Sequence, residues 1–217
     1  MNNKQVLTKV IKPKFINGIE QMCMKIIDVE DEATIKNVYI SDYAIETREA
    51  NIDFEGVIFN KVDFNGVTLN SLELTDVRFE NCDLSNANFV GAIIHRTEFI
   101  NCKLMGLNLN DATLQNIYMN NCNAQFIHMN YIQMKNAILS DCIFENSNLQ
   151  HSKLDKVEFR KCNFILSQMS GTNLSGIDLS NSNFEGVGIR PEDIRGSIVS
   201  PTQAVDFSKI FGLIIKE

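Results

Sequence analysis

A single five-residue period runs through most of this chain and constrains its fold more than any other feature. From Phe54 to Val199, every fifth residue is apolar, without exception over thirty positions. A fixed short period is the signature of solenoids, in which each unit buries its apolar face only by stacking on its neighbours. The sequence therefore predicts a rod with one continuous core.

A second register lies two residues before the first and carries small or β-branched residues. Its members include Val57, Val62, Val77, Ala87, Ala92, Thr97, Ala112, Ala137, Ser147 and Thr172. Glu192 is its one charged exception. Both registers are expected to point inward, because a continuous set of such residues has nowhere else to be buried. The other three positions of each unit are rich in residues that favour turns and solvent.

The cysteines indicate how many units make one turn of the rod. Five of the six follow one another at intervals of 20 residues, or four units: Cys82, Cys102, Cys122, Cys142 and Cys162. We therefore predict a four-sided coil in which residues 20 apart stack at the strand spacing of roughly 4.8 Å. Asn81, Asn101 and Asn121 share this interval. They are predicted to form a ladder of stacked amides.

Both ends of such a rod need caps, because core and unpaired backbone would otherwise be exposed. We assign residues 1–51 to an N-terminal cap with irregular first repeats, 52–201 to a β-helix of about seven and a half coils, and 202–217 to a C-terminal helix and tail. The last irregular repeat places Ile45 nine residues before Phe54. This spacing predicts that the register slips by one residue between them.

The C-terminal residues read as an interaction element. Residues 202–211 form a short amphipathic pattern that should end at Gly212, and an apolar tail follows. Such an element either folds back on the last coil or meets a second copy of the chain. We favour self-association as a homodimer. The predicted dimer contacts are Phe207, Ile210, Phe211, Leu213 and Ile215.

Composition bounds the location and the partners. The 217 residues carry a formal charge of −7, with 27 acidic and 20 basic side chains. An acidic chain is a poor general binder of nucleic acid, because phosphate neutralisation needs Lys and Arg. The sequence shows neither an apolar run long enough for a membrane span nor a secretory signal, so a cytoplasmic protein with reduced thiols is expected.

The chain resembles the pentapeptide-repeat family, whose units read Ala/Cys-Asp/Asn-Leu/Phe-x-x. The segments 82–86, 87–91 and 172–176, which read CDLSN, ANFVG and TNLSG, carry this resemblance. It implies an all-β fold, a right-handed quadrilateral β-helix, in agreement with the cysteine interval.

Within that family, both ends look like those of the Qnr-type quinolone-resistance proteins. The Qnr ending is similar to the C-terminal residues Pro201, Gln203, Ala204, Gly212, Leu213 and Ile215. Residues 28–33 resemble the chromosomal Gram-positive homologues. The resemblance implies a C-terminal dimer that binds DNA gyrase and topoisomerase IV, imitates DNA and protects both enzymes from fluoroquinolones. The loops that interrupt plasmid-borne Qnr proteins have no counterpart between residues 54 and 199.

The acidic side chains are concentrated in the N-terminal half. Residues 28–90 hold 14 acids and four bases, a net of −10, whereas residues 91–200 hold ten acids and nine bases, a net of −1. The coil geometry places Asp53, Glu55, Glu73 and Asp76 on one predicted acidic face and stacks Asp63 on Asp83 on another. Such stacks favour a basic partner surface, although acids that merely keep a repeat protein soluble would give the same count.

Other candidate sites carry less weight. The cysteine column is interpreted as a buried core column rather than a metal or redox site, because its register demands small residues. His95, His128 and His151 lack metal-ligand spacing and are expected at the surface. Outward Tyr118, Phe126 and Tyr131 are isolated aromatics or a contact patch.

Neither a cofactor loop nor a catalytic constellation stands out, so no enzyme activity and no cofactor are predicted.

The sequence thus favours a DNA-mimicking protein that binds gyrase and topoisomerase IV. Two alternatives stay open. One is a structural scaffold that binds another partner, and the other is an immunity factor against a gyrase-targeting peptide toxin. All three need the same rod.

Overall fold

The protein is a parallel β-solenoid, as a computed structural model shows for residues 8–19, 23–24, 33–45 and 48–216. Of the segment 28–33 that resembles the Qnr homologues, only Ala33 lies within these described residues. Among these residues every strand pair is parallel, and one short helix follows the last turn. The predicted all-β, four-sided β-helix is confirmed.

The strands vary in length at the N-terminal end, and the last four each have eight residues. They are β1 Cys23–Met24, β2 Ala33–Lys36, β3 Tyr39–Ser41, β4 Arg48–Glu55, β5 Ile58–Asn60, β6 Thr68–Glu80, β7 Ile93–Ile100, β8 Thr113–Asn120, β9 Gln133–Ser140 and β10 Lys153–Arg160. The helix α1 spans Pro201–Ser208, and a 3₁₀ turn, Lys209–Phe211, extends it. Strands β4, β6, β7, β8, β9 and β10 lie one above another, so the regular sheet makes about six turns.

Neighbouring turns pair in a register of 20 residues. Leu74 lies opposite Ile94 between β6 and β7, and on another side Asp63, Asp83 and Lys103 are joined by successive bridges. The interval read from the cysteines is therefore the true length of one turn.

The corners of the coil explain the composition of the outward positions. From Lys61 onward nearly every fifth residue has a positive φ, for example +55° at Asn81 and +54° at Asn101. This left-handed conformation is least costly for Gly, Asn and Asp, which fill most corners. The predicted amide ladder lies on one corner, where Asn121 Nδ2 donates to Asn101 Oδ1 at 2.9 Å and Asn101 Nδ2 to Asn81 Oδ1 at 3.4 Å. Each rung holds one turn to the next.

The first register forms the core, as predicted. Its side chains are buried except for Leu154, Ile194 and Val199, which are half-buried. On one side the aromatic rings stack from turn to turn, with centroids 4.9 Å apart for Phe59–Phe79 and 5.1 Å for Phe79–Phe99. The rings repeat at the spacing between strands, so phenylalanines 20 residues apart in the sequence form a continuous column of ring contacts.

The second register is also buried, except for exposed Glu192 and half-buried Val187 and Ser197. Its polar atoms have a specific role. The thiol of Cys102 donates to the carbonyl of Phe79 at 3.4 Å, and the hydroxyl of Ser167 donates to the carbonyl of Phe144 at 2.7 Å. Each donor thus reaches the carbonyl 23 residues earlier, in the turn before. Burial alone accounts for a small residue here, and this hydrogen bond accounts for Cys, Ser or Thr.

The first turn differs from the others by one residue. Ala33 pairs with Ile52 and Tyr39 with Ile58, a spacing of 19 rather than 20. The slip predicted between Ile45 and Phe54 is therefore confirmed, and the β4–β6 ladder contains irregular steps after Arg48 and Asn51.

The C-terminal helix folds back on the solenoid. Ser200 caps its N-terminus, and the Nε2 group of Gln203 donates to the carbonyls of Leu179 and Ser182 at 2.8 and 2.6 Å. Phe207 is buried near Phe184. The 3₁₀ turn ends at Gly212, in the left-handed conformation, as the sequence predicts.

Candidate interaction surfaces

The first acidic surface is the outer side of β4 and β6. Asp53 and Glu73 are direct partners in the parallel ladder, so their carboxylates lie one turn apart. Glu55 lies on the same side and forms a salt bridge of 2.6 Å with Lys36. Asp53 and Glu73 therefore form a pair of like charges along the rod axis.

The second acidic surface lies on another side of the coil. Asp63 and Asp83 occupy adjacent turns and are joined by a bridge, as the spacing predicts. Asp63 is exposed, whereas Asp83 is half-buried and pairs with Lys103 at 3.2 Å. Burial acts to raise the pKa of Asp83, but hydrogen bonds from Ser85 and Lys103 outweigh it and lower that pKa. The Asp83 carboxylate is therefore charged at neutral pH.

Asp76 does not belong to the exposed acidic face. Its carboxylate is buried and accepts hydrogen bonds from Arg96 at 2.6 and 2.7 Å. Burial acts to raise its pKa, but the bonds from Arg96 and from the Lys14 N–H outweigh burial and lower that pKa. The coil spacing places Asp76 correctly along the chain, yet Arg96 of the next turn neutralises its charge.

A segment of the N-terminal region covers this corner of the solenoid, and the sequence predicts no structure for it beyond a cap. Residues 8–15, here called the strap, donate three backbone N–H groups to side chains of three turns. The donor–acceptor pairs are Thr8 with Glu158 at 2.5 Å, Ile11 with Asn116 at 3.2 Å and Lys14 with Asp76 at 2.9 Å. The Phe15 ring also lies 5.3 Å from the guanidinium carbon of Arg78. These acceptors are more than 60 positions away, so no local pattern reveals the contact.

The histidines occupy different environments. His128 and His151 are exposed, as predicted, whereas His95 is half-buried next to Arg96. Burial, and then the Arg96 charge, lower the pKa of His95, so this imidazole is neutral at pH 7.

The C-terminal apolar residues divide into two groups. Phe207 is buried and Ile210 half-buried against the chain's own last turns. Phe211 and Leu213 are each 59% exposed, Ile215 is 45% exposed and Ile214 is 96% exposed. The helix is therefore a cap, and the tail beyond it is an open apolar surface.

Outward aromatic residues lie at two corners. Phe126 is 51% and Tyr131 57% exposed, with φ of +60° and +59°, whereas Tyr118 is half-buried. Tyr131 stacks on His151, with centroids 5.3 Å apart. Leu166 occupies the Phe126 corner two turns further on and is also exposed. Bulky residues in the left-handed conformation cost backbone energy that Asn or Gly would avoid.

The described part of the chain holds no group of three His, Cys, Asp or Glu residues that could bind a metal ion. The column thiols are free and buried, and hydrogen bonds with the thiols above and below, together with burial, raise the pKa of Cys102.

A cleft of about 910 Å³ lies between β10 and residues 175–178, with both acidic and basic side chains around it. Among the described residues no helix is long and apolar enough to cross a membrane.

Two family models match the sequence. The model for a pentapeptide repeat region matches residues 72–139, and the model for eight copies of the pentapeptide repeat matches residues 130–164 and 147–186. Together these matches cover more than half of the chain. The chain belongs to the pentapeptide-repeat family.

Solved structures of pentapeptide-repeat proteins are similar at low identity. HetL, involved in heterocyst differentiation regulation in the cyanobacterium Nostoc sp. strain PCC 7120, is 19% identical, with a TM-score of 0.45 over 77% of this chain and 85% of HetL. A trypsin-treated variant of QnrB1, a plasmid-mediated fluoroquinolone resistance protein, is 18% identical, with a TM-score of 0.45 over 88% of this chain and 96% of that one. Because these scores are below 0.5, the family assignment rests on the sequence models. No curated protein sequence matches the chain.

Proposed function

We propose that this pentapeptide-repeat protein binds DNA gyrase and topoisomerase IV in the cytoplasm by imitating DNA, and thereby protects them from fluoroquinolones. The observation that carries the proposal is the alignment of like charges along the rod. Asp53 lies beside Glu73 and Asp63 beside Asp83, each pair one turn apart. Aligned carboxylates repel each other and destabilise the free protein, so a basic partner surface is their best explanation.

Ion pairs within the chain limit which acidic side chains could contact a partner. Asp76 is bonded to Arg96 beneath the strap and Glu55 is paired with Lys36. The acids that remain for a partner are therefore exposed Glu73 and Asp63 and half-buried Asp53. With half-buried Asp83, they place negative charge on two sides of the N-terminal half, as a DNA-like rod requires.

A homodimer joined at the C-terminus would extend this surface. The apolar tail from Phe211 to Ile215 is open in the single chain and offers a self-complementary contact. Two rods joined there would carry their acidic halves at opposite ends.

The direct test is DNA supercoiling by purified gyrase in the presence of ciprofloxacin. Full-length protein should restore supercoiling in a concentration-dependent way, and no rescue up to a large molar excess would refute the proposal. The quadruple variant Asp53→Asn, Glu73→Gln, Asp63→Asn and Asp83→Asn should lose at least tenfold in potency.

A matched control changes the net charge equally in the other half of the rod. Asp111→Asn, Asp141→Asn, Asp155→Asn and Glu185→Gln neutralise four exposed acids there. This control should protect gyrase as well as the unmodified protein does. Equal losses in both variants would mean that total charge, rather than the two acidic surfaces, determines binding.

A second candidate function is a scaffold that binds another protein, and the exposed corner residues favour it. Phe126 and Leu166 occupy left-handed corners where the fold gains nothing from a bulky apolar side chain. If gyrase protection depends on the four acids and survives Phe126→Asn and Leu166→Asn, this patch has no role in that function.

A further inference from the structure

The strap matches the solenoid in its spacing. Its three donors, Thr8, Ile11 and Lys14, are three residues apart, and three residues of extended chain span about 10 Å. Asn116 lies two turns after Asp76, and Glu158 about two turns after Asn116. Two turns rise about 9.6 Å, so donor and acceptor spacings coincide. An extended polypeptide can therefore run along this corner with every third N–H group bonded.

The acceptors are held in place by the solenoid itself. Asp76 is bonded to Arg96, and Glu158 is bonded to Arg160 at 2.5 and 3.0 Å. Asn116 is only 2% exposed and its amide contacts His95. The corner is therefore a preformed row of oriented oxygen acceptors.

The strap is held mainly through its backbone. The side chains of Lys9, Ile11, Lys12 and Lys14 are exposed, and those of Val10, Pro13 and Phe15 are half-buried. A row of acceptors that binds backbone N–H groups can bind chains of many different sequences, provided that the chain is extended and its inward side chains fit.

We propose that this corner is a binding site for an extended polypeptide, recognised through its backbone N–H groups at every third residue. In the free protein the strap occupies the site as an intramolecular ligand. Tethering gives the strap a high effective concentration, so another segment binds only when the strap is released. This inference is independent of the proposed function, and its test contains no topoisomerase.

Proline substitutions in the full-length protein can release the strap selectively, because proline has no backbone N–H. Ile11→Pro and Lys14→Pro each remove one of the donors. Lys12→Pro is the matched control, since the Lys12 N–H makes none of the strap's hydrogen bonds to the corner. Tryptic cleavage after Lys9 should be at least tenfold faster in the double variant Ile11→Pro/Lys14→Pro and nearly unchanged in Lys12→Pro. Equal cleavage rates in the unmodified protein, the double variant and Lys12→Pro would contradict the hydrogen bonds that hold the strap on the corner.

Binding in trans tests the site itself. A capped, fluorescent peptide of residues 8–15 is titrated by anisotropy against the double variant, whose fold is first verified by circular dichroism. The peptide should bind the double variant at least tenfold more tightly than the unmodified protein, in which the strap competes. A peptide with proline at the positions of Ile11 and Lys14 should not bind. Equal binding to both proteins, or no binding to the double variant at millimolar protein, would overturn the proposal.

Discussion

Arg96 donates two hydrogen bonds to the carboxylate of Asp76, at 2.6 and 2.7 Å, across one turn of the solenoid. The pair lies beneath the strap, where Asp76 is buried. Removing one partner of a buried ion pair leaves the other charge without compensation, which costs more than the pair itself contributes. Asp76 is therefore a structural residue in this fold, and the acidic surfaces are defined by its neighbours.

We expect Arg96→Asn to lower the free energy of unfolding by about 2–4 kcal/mol. Asn tolerates the left-handed corner that Arg96 occupies, with φ of +49°, so the loss reports the ion pair rather than the backbone. Lys103→Asn is the control, because its pair with Asp83 is more exposed and is expected to contribute less than about 1 kcal/mol. Urea denaturation measures both, and equal losses would contradict the assignment.

Stability should fall in acid for the same reason. The pKa values of Asp76 and Glu158 are lowered in the folded protein, because hydrogen bonds to both carboxylates outweigh burial. A lowered folded pKa adds stability that is present above the unfolded pKa of about 4 and is lost as pH falls through the folded pKa. The unfolding free energy should therefore decrease below about pH 4. Asp76→Asn should flatten this decrease in urea titrations at several pH values, and an unchanged slope would exclude Asp76 as a cause.

The amide ladder should contribute measurably to stability. Asn101 lies between Asn81 and Asn121, donating to one and accepting from the other. Asn101→Gly retains the left-handed corner and removes both bonds, whereas Asn101→Ala also strains the backbone. We expect losses of about 1 kcal/mol for Gly and about 2 kcal/mol for Ala. Thermal unfolding ranks the two, and Ala no worse than Gly would argue against a strained corner.

The column thiols should be unreactive in the folded protein. Cys82, Cys102, Cys122, Cys142 and Cys162 are free and buried. Native protein treated with Ellman's reagent should therefore release at most the signal of Cys23, whose side chain lies outside the described residues. All six cysteines should react in guanidinium chloride. Rapid modification of several thiols without denaturant would show that the core opens readily.

The cap and the tail at the C-terminus should be separable. Deleting residues 213–217 removes the exposed apolar tail and leaves Gln203 and Phe207 on the last turns, so it should give a folded monomer in light scattering. Phe207→Ala should leave association intact and destabilise the last turns by about 2–4 kcal/mol. A dimer that survives the deletion would place the interface elsewhere.

The solenoid could be predicted because its period is a local property. A spacing of five with apolar residues from Phe54 onward can be satisfied by burial in only one kind of structure, and the 20-residue interval of Cys82 and Cys102 defines its turn. The one-residue register slip near Ile45 also follows from its spacing of nine residues from Phe54. The acidic surfaces could be predicted only in part, since the 20-residue spacing places Asp76 on a corner but does not show that the strap covers it.

The sequence by itself determined the four-sided rod and its core columns, because both depend on residues 5 or 20 positions apart. It also determined the helical end, because an amphipathic helix that stops at a glycine is a local pattern. Only the tertiary structure decided that the strap returns along the corner, that Asp76 is neutralised there, and that Phe207 caps its own chain while the tail stays open. The contacts of the strap and of Phe207 join residues 23 to 150 positions apart with no repeating interval. Arg96 does lie 20 residues after Asp76, but that spacing alone does not show that the two form an ion pair. These contacts arise where geometry brings donors and acceptors together, and that geometry exists only once the coils are stacked.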